Sequence, residues 1–277
     1  MPKEILAKSI LTKSNVPGMD YCVNPYVGCT HACIYCYARF MKRFTGHTEK
    51  WGTFFDVRIN APEVLEKELQ RKKEKGQVWI GSVTDPYQPA EKKYKLTRQV
   101  LEVLAKHQWP VAIQTKSDLI LRDSDIFKKF KNIGIGVTID TLDEDVRQLL
   151  EPGVATTVER KLNILKKLHR QGFRELYAFI GPVFPYITDV AKIMKTVSPY
   201  VNLIYVETLN KRGADWPEIM KFIHENFPNL ENIYREIFEK PGGEKYWLDL
   251  EKEVEILAKK YKTKTEFVMH GKKVRSY

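Results

Sequence analysis

Cys29-Thr-His-Ala-Cys33-Ile-Tyr-Cys36 decides how this chain is read. Three cysteines stand in a C-x₃-C-x₂-C array within eight residues, so one short loop can point three thiolates at one centre. Soft thiolates select zinc, copper(I) or iron–sulfur clusters. A structural zinc site takes four ligands, usually from two separated C-x₂-C pairs, and the sequence has no second pair. A conventional cluster also takes four cysteines. The remaining one, Cys22, lies seven residues upstream and reads as a small buried residue rather than a ligand. The array therefore reads as a [4Fe–4S] cluster held by Cys29, Cys33 and Cys36, with one iron open. A zinc site and a group of buried, reduced cysteines are the competing readings. His31, inside the loop, reads as a hydrogen-bonding neighbour or a solvated side chain rather than a ligand.

Outward from the loop, the flanks have their own logic. Pro25 restricts Asn24 to extended geometry, so Tyr21 to Gly28 reads as a short extended entry. Gly28 allows a close approach of backbone to the centre. Residues 32–44 read as a helix. Further on, strand-like runs at 53–58, 77–83, 111–114, 133–138, 177–180, 203–206 and 265–269 alternate with helical spacing. The helical segments fall at 61–75, 97–106, 125–131, 158–169, 190–197, 214–225 and 243–260. Residues 1–20 read as irregular, with a turn at Pro17-Gly18. Such alternation predicts an α/β fold, a partial or complete parallel (β/α) barrel. No linker or low-complexity stretch breaks it, so residues 1–277 read as one domain. Its core falls at about 15–240, with a helical and strand C-terminal extension.

Composition narrows the setting. The 277 residues are 43% hydrophobic and 29% charged, ordinary for a globular chain. No apolar run approaches the ~18–20 residues that span a bilayer. The start, Met1-Pro-Lys-Glu-Ile-Leu, lacks the apolar core of a signal peptide, and the clustered cysteines argue against a disulfide framework. A reducing, cytoplasmic setting is expected. The net charge of +11 suits a polyanionic partner, although Lys-rich surfaces also mark heat-stable proteins. Arg39, Lys42, Arg43, Lys211, Arg212 and the run Gly271-Lys-Lys-Val-Arg275 are the basic candidates. Tyr234, Tyr246 and Trp247 either cover the mouth of the site or pack a helix.

A parallel fold of this kind places function at the C-terminal ends of its strands. After the 77–83 strand comes Gly81-Ser-Val-Thr-Asp-Pro-Tyr-Gln-Pro-Ala-Glu91. Ser82, Thr84 and Asp85 there suit a charged ligand head group, or serve as turn residues beside Pro86 and Pro89.

The cysteine array, with Tyr35 before its last cysteine, resembles the signature of the radical S-adenosylmethionine (SAM) superfamily. Asn24-Pro-Tyr-x-Gly-Cys-x-His-x-Cys-x-Tyr-Cys-Tyr-Ala-Arg39 and Thr84-Asp-Pro-Tyr-Gln-Pro-x-Glu91 resemble its spore-photoproduct-lyase-like branch. So do Thr115-Lys-Ser117 with Arg122-Asp123, Glu151-Pro152 with Arg160, and Gly181-Pro182 with Pro185. The likeness covers roughly residues 15–210. It implies a [4Fe–4S] cluster on Cys29, Cys33 and Cys36, with SAM on the open iron. An electron from that cluster would cleave SAM to a 5′-deoxyadenosyl radical, which abstracts a hydrogen atom from the substrate. It further implies Tyr35 at the adenine, Ser82 to Asp85 at the methionyl amino group or ribose, Lys116 at the carboxylate, and Thr138 at the ribose or carboxylate. A point cation suits a carboxylate, which supports Lys116 independently.

The repair lyases of this branch carry a hydrogen-donor cysteine near that strand end, and Gly81-Ser-Val-Thr84 has none. Lyase-type thymine-dimer repair is thereby put in doubt. Nucleic acid is the leading substrate class, from charge and branch, ahead of a protein or peptide and then a small molecule. An electron donor such as a ferredoxin or flavodoxin is implied. The rival classes are an iron–sulfur electron carrier with Cys22 as fourth ligand and a zinc-dependent nucleic-acid-binding module. The substrate and the oligomeric state are not assigned by the sequence.

Overall fold

The fold was obtained as a computed structural model describing residues 2–270. The Gly271–Arg275 run, named above as a basic candidate, lies outside the described residues. Two compact units emerge. The first comprises the described residues up to 32, with 38–137 and 153–156; the second comprises 33–37, 138–152 and the described residues from 157 on.

The first unit holds strands β1 (Lys3–Ile5), β2 (Leu11–Lys13), β3 (Tyr21–Val23), β4 (Tyr26–Val27), β5 (Asp56–Arg58), β6 (Val78–Ile80), β7 (Val111–Thr115) and β8 (Ile133–Thr138, whose last residue falls in the second unit). Strands β3, β6, β7 and β8 run parallel in that order, and β2 adds antiparallel to β3. A small separate sheet joins β1, β5 and β4. Helices α1 (Lys42–Thr45), α2 (Ala61–Gln70), α3 (Glu91–Tyr94), α4 (Leu96–Lys106) and α5 (Ser124–Phe127) connect them. Apolar strand runs such as Val78-Trp-Ile80 are what a strand covered by helices requires. Val23, Val78, Ile80, Val111 and Ile113 are fully buried, as are Leu65, Leu101 and Leu104 on the helices.

The second unit holds α6 (Glu144–Leu150), α7 (Val158–Arg170), β9 (Leu176–Val183), α8 (Val190–Val197), β10 (Leu203–Thr208), α9 (Trp216–Asn226), α10 (Glu231–Glu239), α11 (Glu244–Tyr261) and β11 (Lys264–Val268). Strands β9, β10 and β11 are parallel, in sequence order. In β10, Ile204, Val206 and Thr208 are buried while Leu203, Tyr205 and Glu207 stay partly exposed, the period-2 alternation of a pleated strand. Thr157 caps α7 by accepting the Arg160 N–H at 3.3 Å, and Val158, Ile164, Leu165 and Leu168 form its buried stripe.

The expected α/β class of parallel strands and connecting helices is the fold found. Several elements differ from expectation. The helix read over 32–44 is instead a 3₁₀ turn at Tyr37–Met41 followed by one turn of α1. Ala32 has φ +52°, a left-handed geometry that blocks helix initiation, so the cysteines sit on irregular backbone. Residues 53–55 are outside the strand, which starts at Asp56. Strands β1 and β2 and helices α6 and α10 fall where no element was expected. Each is short or partly exposed, with little periodicity to read. Among the described residues no helix is long and apolar enough to cross a membrane.

Candidate metal centre

In the first unit, the loop that carries Cys29 is fastened by the segment after β6. The Thr84 hydroxyl donates to the Gly28 carbonyl at 2.7 Å, and the Gln88 amide donates to the same oxygen at 3.3 Å. Gln88 Oε1 accepts the Thr30 N–H at 3.2 Å. Gly28, at φ +81°, is pressed against Phe54: a Cβ would lie 2.7 Å from the Phe54 carbonyl oxygen. The close approach that Gly28 allows is therefore to Phe54. Asn24 ties the entry strand to the same segment. Its amide donates to Ser82 Oγ and its Oδ1 accepts the Val83 N–H, both at 3.0 Å.

Asp85 organises the next layer. The Thr115 hydroxyl donates to Oδ1 at 2.6 Å, the Tyr87 N–H to Oδ1 at 2.8 Å and the Lys116 N–H to Oδ2 at 2.9 Å. The ring of His31 lies beside it, Nε2 3.4 Å from Oδ2, with the histidine side chain only 4% exposed. Burial alone would raise the Asp85 carboxyl; the His31 ring and these donors hold it at about 2. The His31 carbonyl accepts the Gly153 N–H at 3.0 Å, and a Cβ at Gly153 would come within 2.0 Å of the Thr30 carbonyl oxygen.

In the second unit, the Cys33–Tyr37 segment is latched by backbone and side chain. The Ile34 N–H donates to the Leu150 carbonyl at 3.0 Å. The Tyr35 phenol lies between the carboxylates of Asp140 and Glu151, with Glu151 Oε1 at 2.7 Å. Burial and the charge of Asp140 push that phenol well above its ordinary range. Glu151 is also ion-paired with Lys161, both almost fully buried. The Tyr35 ring meets Phe184 edge-on at 5.8 Å. Sequence reading assigned Tyr35 but missed Asp140, Glu151 and Lys161 as a set. The signal was present: Lys161 falls on the apolar stripe of α7, where a lysine needs a buried partner.

Among the sites expected from sequence, Ser82, Thr84, Asp85 and Lys116 are brought together in the first unit. Thr84 and Asp85 spend their polar groups on the protein itself. Thr138 is buried at the end of β8. Cys29 and Cys33 are 7% exposed and Cys36 is half-buried; all four cysteines are thiols. Cys22 is buried in β3, as its reading as a small core residue expected. Among the described residues no three Cys, His, Asp or Glu side chains stand in ligand geometry, so the thiolate assignment rests on spacing.

Other motif residues turn out to build the frame. Glu91, fully buried, accepts the Arg122 guanidinium at 2.7 Å, the Thr97 N–H at 3.0 Å and the Tyr26 phenol. Tyr234 and Trp247 pack around Phe238, whereas Tyr246 meets Tyr186 in a cleft of about 810 Å³ between α8, α10 and α11. Lys211, a basic candidate, donates to the Phe238 carbonyl at 3.3 Å and lies 5.1 Å from the Trp216 ring centre.

Comparison with known proteins places this geometry. The chain is 37% identical over 230 residues to an uncharacterised protein of Methanocaldococcus jannaschii, covering 83% of this chain and 85% of that one. Its fold is that of spore photoproduct lyase complexed with dinucleoside spore photoproduct, at TM-score 0.68 and 14% identity, over 96% of this chain and 80% of that one. Streptococcus suis SuiB bound to the precursor peptide SuiA shares the fold at TM-score 0.59 and 14% identity, over 90% of this chain but 48% of that one. Residues 23–198 match the radical SAM superfamily, a span that contains the whole cysteine loop and the strand ends around it, and the chain belongs to that superfamily.

Proposed function

We propose that this protein is a radical SAM enzyme that holds a [4Fe–4S] cluster on Cys29, Cys33 and Cys36, binds SAM at the open iron and abstracts a hydrogen atom from a nucleic-acid substrate. The observation that carries the reading is the C-x₃-C-x₂-C loop inside the superfamily match. The donor set fits: three soft thiolates leave one iron open. The shielding of Cys29 and Cys33 fits as well, because solvent exposure is one lever on a cluster's potential. When bound, the cluster supplies the electron that splits SAM and so starts hydrogen abstraction.

The chain's own residues hold and orient. Asp85 fixes the backbone at Lys116, whose ammonium is assigned to the SAM carboxylate. Ser82 and Thr138 are assigned to the amino group or ribose, and Tyr35 to the adenine. Thr84 and Asp85 act on SAM through the loop and strand end they fasten. Lys116→Ala should lose a charge-assisted contact of ~1.5–3 kcal/mol, weakening SAM binding by about one to two orders of magnitude with iron content unchanged. An unaltered dissociation constant would remove Lys116 from the site.

The net charge of +11 supports a polyanionic substrate, as does the likeness to an enzyme solved with a dinucleoside lesion. An electron donor of the ferredoxin or flavodoxin type would feed the cluster. The test is anaerobic: reconstituted protein, SAM and dithionite, with 5′-deoxyadenosine measured with and without DNA, RNA or protein fractions. Deoxyadenosine should form, and nucleic acid should stimulate it. Nucleic-acid binding should also weaken steeply between about 50 and 200 mM salt, because neutralised phosphates release counterions. Stimulation by the protein fraction alone, with no salt-dependent nucleic-acid binding, would replace nucleic acid by peptide as the substrate.

A further inference from the structure

His31 stands between the first two cysteines of the loop and is buried, with 3% of its surface exposed. Its backbone is fixed by Gly153 and its ring by Asp85. Asp85 is saturated by the Thr115 hydroxyl and two backbone N–H groups, so it cannot swing away to serve another group. The other ring nitrogen, Nδ1, has no hydrogen-bond partner among the described residues. A buried polar atom left without a partner costs ~1–3 kcal/mol, which is why nearly all such atoms are satisfied by something.

The tautomer decides what that something is. A carboxylate only accepts, so the ring hydrogen belongs on Nε2, facing Asp85. Nδ1 of the neutral ring then presents a lone pair and needs a donor. Cluster sulfides and thiolates have no hydrogen to give. SAM has two kinds of donor, its amino group and its ribose hydroxyls. Resting on the radical SAM reading above, we propose that His31 is a SAM-binding residue, its Nδ1 accepting a hydrogen bond from the amino group or a ribose hydroxyl of bound SAM, with Asp85 setting the tautomer. His31 would thus read the cofactor from within the cluster loop itself, independently of Lys116.

The test compares SAM affinity, followed by the EPR change of the reduced cluster, in reconstituted wild-type, His31→Leu and His31→Asn protein. Leucine removes the acceptor; asparagine returns an oxygen close to the position of Nδ1. His31→Leu should raise the SAM dissociation constant about three- to tenfold, the worth of one neutral hydrogen bond, with wild-type iron content. His31→Asn should recover most of it. Wild-type SAM affinity in His31→Leu overturns the proposal. If the midpoint potential of the SAM-free cluster shifts in that variant while SAM affinity does not, the nitrogen serves the cluster and the proposal is again overturned. Should His31→Leu not take up iron, His31→Asn is set against His31→Gln, whose oxygen sits near Nε2. Tighter SAM binding by the asparagine variant supports the assignment, and equal binding overturns it. Adenosyl methylthioether analogues lacking the amino group, or carrying 2′-deoxyribose, then separate the two donors. A wild-type spectrum indifferent to SAM would be a different failure, that of the radical SAM reading itself.

Discussion

Cys33→Ala protein, reconstituted anaerobically with iron and sulfide, should fail to retain a [4Fe–4S] cluster and should form no 5′-deoxyadenosine above background. Losing a hydrogen bond to a metal ligand already costs ~10–100-fold in affinity, and losing one of three ligands costs more. Cys22→Ala is the control. That thiol is buried in β3, paired in register with Trp79 of β6, and its removal should leave cluster content and the SAM-induced EPR change intact. Iron analysis and EPR on the two variants decide the matter. A cluster retained in Cys33→Ala and lost in Cys22→Ala would move the fourth-ligand role to Cys22 and close the iron that SAM needs.

Lys161→Met should be the most destabilising single change outside the hydrophobic core. Lys161 and Glu151 are a buried pair, 2% and 1% exposed in their side chains. Removing the ammonium leaves a carboxylate in the interior with the Tyr35 phenol and the charge of Asp140 beside it. Breaking such a pair from one side costs ~3–5 kcal/mol, whereas replacing both partners can be close to neutral. Urea unfolding of the apoprotein should therefore show a large loss in Lys161→Met and a substantial recovery in Lys161→Met with Glu151→Gln. If the double variant is no more stable than the single, the pair is not coupled and the latch on Tyr35 has another origin.

How much of this was legible in the sequence depends on what each residue type can signal. The cysteine loop was legible because thiolate chemistry and spacing admit few structures. The alternation of strands and helices was legible because β6, β7 and α7 carry strong apolar patterns. The segment after β6 was less so. A threonine or aspartate reads alike whether it meets a ligand or a backbone group, and Thr84 turns out to hold Gly28 while Asp85 holds Thr115, Tyr87 and Lys116. The expected helix over 32–44 failed on one backbone angle, the left-handed Ala32, which side-chain periodicity does not report. The pairing of His31 with Asp85 spans more than fifty residues and exists only once the chain has folded.

The fastenings of the cysteine loop bear on the order of events in maturation. Gly28 is held by Thr84 and Gln88, His31 by Gly153, Ile34 by Leu150, and Tyr35 by Glu151. All of these are contacts of protein with protein. The conformational entropy of the loop is thus surrendered when the chain folds, not when iron arrives. Zinc fingers show the opposite arrangement, in which metal uptake and folding are one event and chelation unfolds the domain. Here the thiols need only turn about their side-chain bonds to meet a cluster. The protein can stand folded and wait for its iron, and oxygen damage that strips the cluster leaves a scaffold ready to be reloaded rather than a chain to be degraded.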